Sequence, residues 1–217
     1  MRLTLHGYWR STAAYRVRIA LNLKGLGYDH APVDLRAGSH NAPAFLDVNR
    51  QGLVPVLEAD GQALTQSLPI IEWLEERFPE PALLPSAPFD RARVRAVAAI
   101  IASDIHPLNN LRVLTKLRAS LAASDAAVDD WIADWITRGF EAVEPVLGDE
   151  GWCFGPDPGL ADCCLIPQVY SAKRFGVPLT SFPKIVAIAS RAVAHPAFAQ
   201  AEPERQADAP NPDRTAG

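Results

Sequence analysis

Three polar clusters in the first seventy residues stand where the hydrophobic pattern changes. The first is Tyr8-Trp9-Arg10-Ser11-Thr12, immediately ahead of a helix-like run. A helix start leaves N–H groups unpaired and carries partial positive charge, so it stabilises an anion such as a thiolate. Ser11 or Thr12 can equally be a plain N-cap there, and the two roles are compatible. The second cluster is Asn49-Arg50-Gln51-Gly52-Leu53-Val54-Pro55-Val56-Leu57, in which Pro55 opens a strand. A cis X-Pro bond at this point would turn the Val54 backbone outward toward an extended peptide ligand, whereas a trans bond would make Pro55 an ordinary strand opener. The third is Gln66-Ser67, ahead of an apolar helix. The pair is either a cap with Ser67 as the capping residue, or a hydroxyl, an amide and helix-start N–H groups that together hold a carboxylate.

The elements that must position these clusters follow from periodicity. Leu3–His6, Tyr28–Asp34, Val54–Ala59 and Ala63–Thr65 read as strands, and Ala13–Lys24, Ala42–Val48 and Leu68–Phe78 as helices. The order β-α-β-α-β-β-α implies a small mixed sheet covered by helices over residues 1–80. Pro79, Pro81, Pro85 and Pro88 forbid a continuous helix and mark a linker over 81–90. Beyond it only helical patterns appear: Asp90–Leu121, Ala126–Leu147, Leu160–Phe175 and Pro183–Ala194, so residues 91–200 form an all-α domain. Residues 201–217 hold no aliphatic side chain larger than Ala and read as a disordered tail.

Composition narrows the function classes. The 217 residues carry 21 Lys and Arg against 25 Asp and Glu, a net charge of −4 and a pI near 5.7, so no global positive field draws nucleic acid or anionic lipid. The longest apolar run, Ala96–Ala102, is too short to span a membrane. The N-terminus shows no secretory pattern, which places the protein in the cytosol. Cys153, Cys163 and Cys164 are odd in number and clustered, with neither a zinc-ligand nor a disulfide-framework spacing; no metal site is expected, and the thiols read as packed core groups. Trp131 and Trp135, one turn apart, read as core.

Taken together, the order and spacing of the clusters resemble the glutathione transferase superfamily. Ser11-Thr12-Ala13-Ala14-Tyr15-Arg16-Val17-Arg18-Ile19-Ala20-Leu21 is similar to the serine-containing motif of its zeta class, which includes the maleylacetoacetate and maleylpyruvate isomerases. Asp104-Ile105-His106-Pro107-Leu108-Asn109-Asn110-Leu111-Arg112-Val113-Leu114 resembles bacterial members of that class, as do Leu165–Val169 and the downstream Arg174-Phe175. The likeness runs from residue 1 to about residue 200. It implies an α/β plus all-α fold, with an N-terminal thioredoxin-like domain that binds glutathione followed by an all-helical C-terminal domain that binds substrate. It also implies a two-fold homodimer.

The resemblance further implies roles. Gln66 and Ser67 would hold the γ-glutamyl end of glutathione, the Val54 backbone beside Pro55 the cysteinyl amide, and His40 and Gln51 would lie near the glycyl end. Ser11 would donate to the thiolate and lower its pKa, with Thr12 and Arg10 beside it. Arg10, Arg112 and Arg174 would anchor substrate carboxylates, and His106 and Asn110 could donate to glutathione or to a developing enolate. The implied reaction is cis–trans isomerisation of maleylacetoacetate or maleylpyruvate in aromatic and tyrosine catabolism, by reversible thiolate addition to the cis double bond. A general conjugating transferase and a non-catalytic glutathione-fold binding protein are the alternatives; retention of Ser11 and of the Gln66-Ser67 pair speaks against the second. Three departures stand out. The family's active-site cysteine is replaced by Ala13, Gly159 stands where Ser or Thr commonly caps a helix, and Tyr8, near the thiol-activating tyrosine of other classes, reads as structural.

Overall fold

The computed structural model describes residues 1–210, and the chain divides into two compact units, Met1–Ala82 with the chain from Val193 onward, and Leu83–Ala192. In the first, β1 (Leu3–Gly7), β2 (Asp29–Pro32), β3 (Val56–Ala59) and β4 (Gln62–Thr65) form one sheet in the order β2-β1-β3-β4. β1 and β2 run parallel, joined through α1 (Thr12–Leu23); β3 and β4 are antiparallel neighbours, joined by the Asp60-Gly61 turn. α2 (Pro43–Val48) precedes β3, and α3 (Ser67–Arg77) follows β4 and packs on α1. Leu3 and Leu5 alternate with less buried neighbours on β1, and Val17, Ala20 and Leu21 of α1 are buried at helical spacing. This is the thioredoxin-like arrangement expected.

Two charged groups of this unit are buried as a pair. Lys24, just past α1, donates to Glu75 of α3 at 2.6 Å and to the Pro81 carbonyl at 2.6 Å. The ammonium is fully enclosed, so its charge is tolerable only because these acceptors are in place.

The second unit contains α4 (Pro88–Ala99), α5 (Leu111–Leu121), α6 (Asp125–Val143), α7 (Leu160–Arg174) and α8 (Pro183–Ala194), whose last two residues pass into the first unit. Pro88 takes the first turn of α4, where its missing N–H costs nothing, so the helix starts inside the expected linker. The single helix expected over Asp90–Leu121 is instead broken. α4 widens into a π-turn at Ile100–Ile105, tightens into a 3-10 turn at His106–Asn109, and restarts at Leu111. Pro107 cannot donate to the helical ladder, and Asn110 opens a new helix with its own side chain. Gly139 of α6 makes room for this break: a Cβ there would lie 2.1 Å from Ile105 Cδ1. Cys153, Cys163 and Cys164 are all buried.

The C-terminal segment corrects the expectation of a disordered tail, and with it the extent of the all-α domain. α9 (Pro196–Ala201), which the sequence pattern did not reveal, belongs to the first unit and packs on α1. Ala201 and Pro203 are buried, and a 3-10 turn follows at Pro203–Arg205. The segment needs no large aliphatic side chains, because polar groups of α1 hold its backbone: Asn22 donates to the Ala197 carbonyl at 2.9 Å and Arg18 to the Ala201 carbonyl at 3.0 Å. The rest of that expectation, residues 211–217, lies outside the described residues.

Candidate active site

Ser11 is the N-cap of α1, with φ −69° and ψ 115°. Its Oγ accepts the Ala14 N–H at 3.2 Å, its carbonyl accepts Tyr15 N–H at 2.9 Å, and its own N–H donates to the Tyr8 carbonyl at 2.9 Å. A hydroxyl that accepts one bond still carries its proton, so Ser11 can cap the helix and donate to an anion at once. Thr12 is buried at the first helical position. Arg10 lies over the Trp9 ring, 5.1 Å from its centroid, in a cation–π contact that holds its long side chain beside the turn. Tyr8 is buried.

On the same unit, the Gln66 amide donates to Gln51 Oε1 at 2.8 Å. Gln66 adopts φ 68°, ψ 126°, a conformation L-residues seldom take, and such outliers gather at ligand sites. Gln66, rather than Ser67, is the N-cap of α3, and its carbonyl accepts Ile70 N–H at 3.0 Å. Ser67 opens the helix, and its buried hydroxyl accepts from the enclosed Arg16 guanidinium at 3.2 Å. Sequence reasoning missed Arg16, because a helix pattern shows which positions are apolar but not that an arginine sits inside.

Val54–Pro55 is a cis peptide bond, and Val54 precedes the ladder, whose register begins at Val56. Asn49, which opens the sequence cluster but carried no assigned role, fastens this loop: its side chain accepts Gln51 N–H at 3.1 Å and donates to the Leu53 carbonyl at 2.7 Å. Gly52, at φ 60°, lets the loop approach the turn Ser39–Asn41, since a Cβ there would be 3.1 Å from the His40 carbonyl. His40 Nε2 meets the Asn41 amide at 3.2 Å. His40, Gln51 and Gln66 are thus drawn together by direct contact or by adjoining loops.

The candidates of the helical unit are carried by its broken helix and by α7. His106 begins the 3-10 turn, and the indole of Trp131 donates to the Leu108 carbonyl at 2.9 Å, tying that turn to α6. Asn110 Oδ1 caps α5 by accepting Arg112 N–H at 3.1 Å, which leaves its amide N–H groups for other acceptors. Arg112 is exposed in the first turn of α5. Arg174, exposed at the end of α7, stacks on Phe175 at 4.4 Å. Asn109, between His106 and Asn110 in sequence, is buried, with neither side-chain polar atom hydrogen-bonded among the described residues.

Asp162 of α7 is enclosed, and burial raises its pKa against the opposing effect of hydrogen bonds from the backbone N–H groups of Gly159 (2.9 Å) and Cys153 (3.0 Å). Burial also pushes the Cys153 thiol well up, so it is no thiolate nucleophile.

The whole chain is similar to known proteins. Residues 5–82 match the family model described as glutathione S-transferase, N-terminal domain. The chain is 53% identical over 211 residues to a maleylacetoacetate isomerase of Pseudomonas aeruginosa, covering 96% of this chain and 99% of the relative. It superposes with a TM-score of 0.93 on the holo structure of a maleylpyruvate isomerase, a bacterial glutathione S-transferase of the zeta class, at 46% identity over 95% of this chain and 100% of that one. A maleylacetoacetate isomerase of Anaeromyxobacter dehalogenans 2CP-1, with glutathione bound in its active site, matches with a TM-score of 0.87 at 43% identity, over 96% of this chain and 98% of that one. With its mixed sheet, its Ser11-capped helix and this full-length likeness, the chain belongs to the zeta class of the glutathione transferase family, among the maleylacetoacetate and maleylpyruvate isomerases.

Proposed function

We propose that the protein is a glutathione-dependent cis–trans isomerase acting on maleylacetoacetate or maleylpyruvate. The observation that carries this reading is Ser11: a helix cap whose oxygen is engaged by Ala14 N–H while its proton stays free to meet a thiolate. The donor set fits glutathione, because a hydroxyl at a helix start suits its sulfur and the Gln66-Ser67 pair, with the Arg16 cation behind it, suits a carboxylate. His40, Gln51, Val54 and Pro55 belong to the same binding surface. When bound, glutathione supplies the nucleophilic sulfur for reversible addition to the cis double bond.

The chain's own residues have three tasks. Ser11, with Thr12 beside it, keeps the sulfur ionised by hydrogen bonding at a positive helix end. Arg10 in the first unit, and Arg112 and Arg174 in the second, are each assigned to substrate carboxylates, as the likeness to the isomerases implies. His106 and the amide of Asn110 donate where negative charge develops on the carbonyl oxygen or on glutathione. None of these tasks requires the thiol absent at Ala13.

The test is the ultraviolet decay of maleylpyruvate and maleylacetoacetate with purified protein, with and without catalytic glutathione. Decay that needs glutathione without consuming it establishes the isomerase and ranks the two substrates; consumption of glutathione instead identifies a conjugating transferase. We also infer a two-fold homodimer, for which the exposed Phe89 and Leu121 offer apolar surface, and a cytosolic location, where glutathione is kept reduced. Among the described residues no helix is long and apolar enough to cross a membrane.

A further inference from the structure

In the turn that ends at Ser11, both backbone polar groups of Trp9 are bonded by side chains from elsewhere in the first unit, Asp208 beyond α9 and Arg18 of α1. The Trp9 N–H donates to Asp208 Oδ2 at 2.8 Å, and its carbonyl accepts from Arg18 Nη2 at 3.0 Å. The same Arg18 guanidinium donates through Nε to the carbonyl of Ala201, the last residue of α9. Arg18 is fully enclosed, so its hydrogen-bond directions are set by fixed acceptors rather than by water. Asp208 is only 14% exposed at its side chain, and its other oxygen lies 3.7 Å from His30 Nδ1. A largely buried carboxylate needs N–H donors, and the Trp9 amide supplies one.

Both ends of Trp9 are therefore held by groups that belong to, or are fastened to, the C-terminal segment. Trp9 in turn carries the neighbours that matter: its ring supports Arg10 at 5.1 Å, and Ser11 follows two residues on. We propose that the C-terminal segment is a clamp on the catalytic turn, with Asp208 as a positioning residue that sets the placement of Ser11 through the Trp9 N–H and Arg18 fixing the opposite side of the same residue. The inference rests on the reading that Ser11 faces the glutathione sulfur, and it gives the segment around Asp208 a role in thiol activation rather than in folding alone.

The experiment uses the full chain with Asp208→Ala, Asp208→Asn and Ser11→Ala. Two quantities are measured: pH titration of the ultraviolet thiolate absorbance of bound glutathione, and amide hydrogen exchange of the peptide spanning residues 8–14. Asp208→Ala is expected to speed exchange across the turn by about tenfold and to raise the thiol pKa by about half a unit or more. Asp208→Asn keeps an oxygen acceptor for the Trp9 N–H and is expected to restore both toward the wild-type values. Should Asp208→Ala fail to fold, Asp208→Ser, a shorter acceptor, is expected to shift both quantities in the same directions. A thiol titration in Asp208→Ala that superimposes on wild type while Ser11→Ala shifts overturns the clamp and leaves the Ser11 reading standing, even if exchange is faster. Equal effects of Asp208→Asn and Asp208→Ala also overturn it, since charge and not the Trp9 bond would then be responsible. An unshifted titration in Ser11→Ala overturns the Ser11 reading and the clamp together.

Discussion

The Ser11 oxygen accepts the Ala14 N–H, so replacing Ser11 by Ala removes both a helix cap and the donor assigned to the sulfur. The cap is worth about 1 kcal/mol, and the lost thiolate stabilisation is expected to lower turnover by about tenfold or more. Ser11→Asp separates the two duties. Aspartate caps as well as serine but has no proton to donate at neutral pH and adds a negative charge, so thermal stability should hold while turnover falls and the bound thiol pKa rises. Arg112 is exposed in the first turn of α5, and Arg112→Ala should leave stability within about half a kcal/mol of wild type while raising KM for the dicarboxylate about tenfold. Steady-state kinetics paired with thermal melts distinguish these cases. Unchanged kinetics in the Ser11 and Arg112 variants would remove the assignments.

At the scale of elements, α7 shows why one departure from the family pattern stands. Glycine occupies the cap position 159, where serine would ordinarily gain a few tenths of a kcal/mol. A Cβ at that position would lie 2.7 Å from the Leu83 carbonyl oxygen, the same carbonyl that accepts Leu160 N–H at 2.8 Å. Backbone cannot yield as a flexible side chain can, so the steric cost wins: Gly159→Ser is expected to destabilise by about 1–3 kcal/mol, read from the midpoint of denaturant unfolding. The other half of the cap is present, since Asp162 reaches back to Gly159 N–H at 2.9 Å. The broken helix between α4 and α5 follows similar logic, for the close approach at Gly139 seats Ile105 just ahead of the turn that carries His106.

At the scale of the molecule, the buried polar groups of the first unit make its stability depend on pH through His30. Burial lowers its pKa, the Asp208 carboxylate opposes that shift, and Arg18 and His6 add to it; His6 is itself paired with Glu58 at 3.0 Å. With the folded value below the unfolded value of about 6.5, the unfolded chain takes up the proton first. Stability from this group is fully present above about pH 6.5 and is lost as pH falls toward and through the lowered value. His30→Gln should flatten that part of the stability profile, measured by denaturant unfolding at closely spaced pH values between 7 and about 5. A profile unchanged by the substitution would show that His30 does not contribute.

Elements whose signals are local could be read from the amino-acid order alone. The period-2 runs of β1 and β3, the Asp60-Gly61 turn, the helical spacing of α1, α3 and α7, and the prolines before α4 are each set by side chains within a few residues, so the sheet and the helical second half were legible. The Ser11 cap was legible too, because a polar residue at a strand-to-helix junction is a local signal, whereas at α3 the same signal pointed to Ser67 and the cap is Gln66. Features that depend on distant partners emerge in the folded molecule. Arg16 and Arg18 look like surface charges on α1 until Ser67 and the carbonyls of Trp9 and Ala201 enclose them. Asp208 stands in a segment without a single large aliphatic side chain, yet it is ordered by a bond to a residue 199 positions away. Hydrophobic patterning reports only where apolar surface must be buried; a segment held by hydrogen bonds to buried polar groups leaves no such trace, and becomes visible when the fold brings donor and acceptor together.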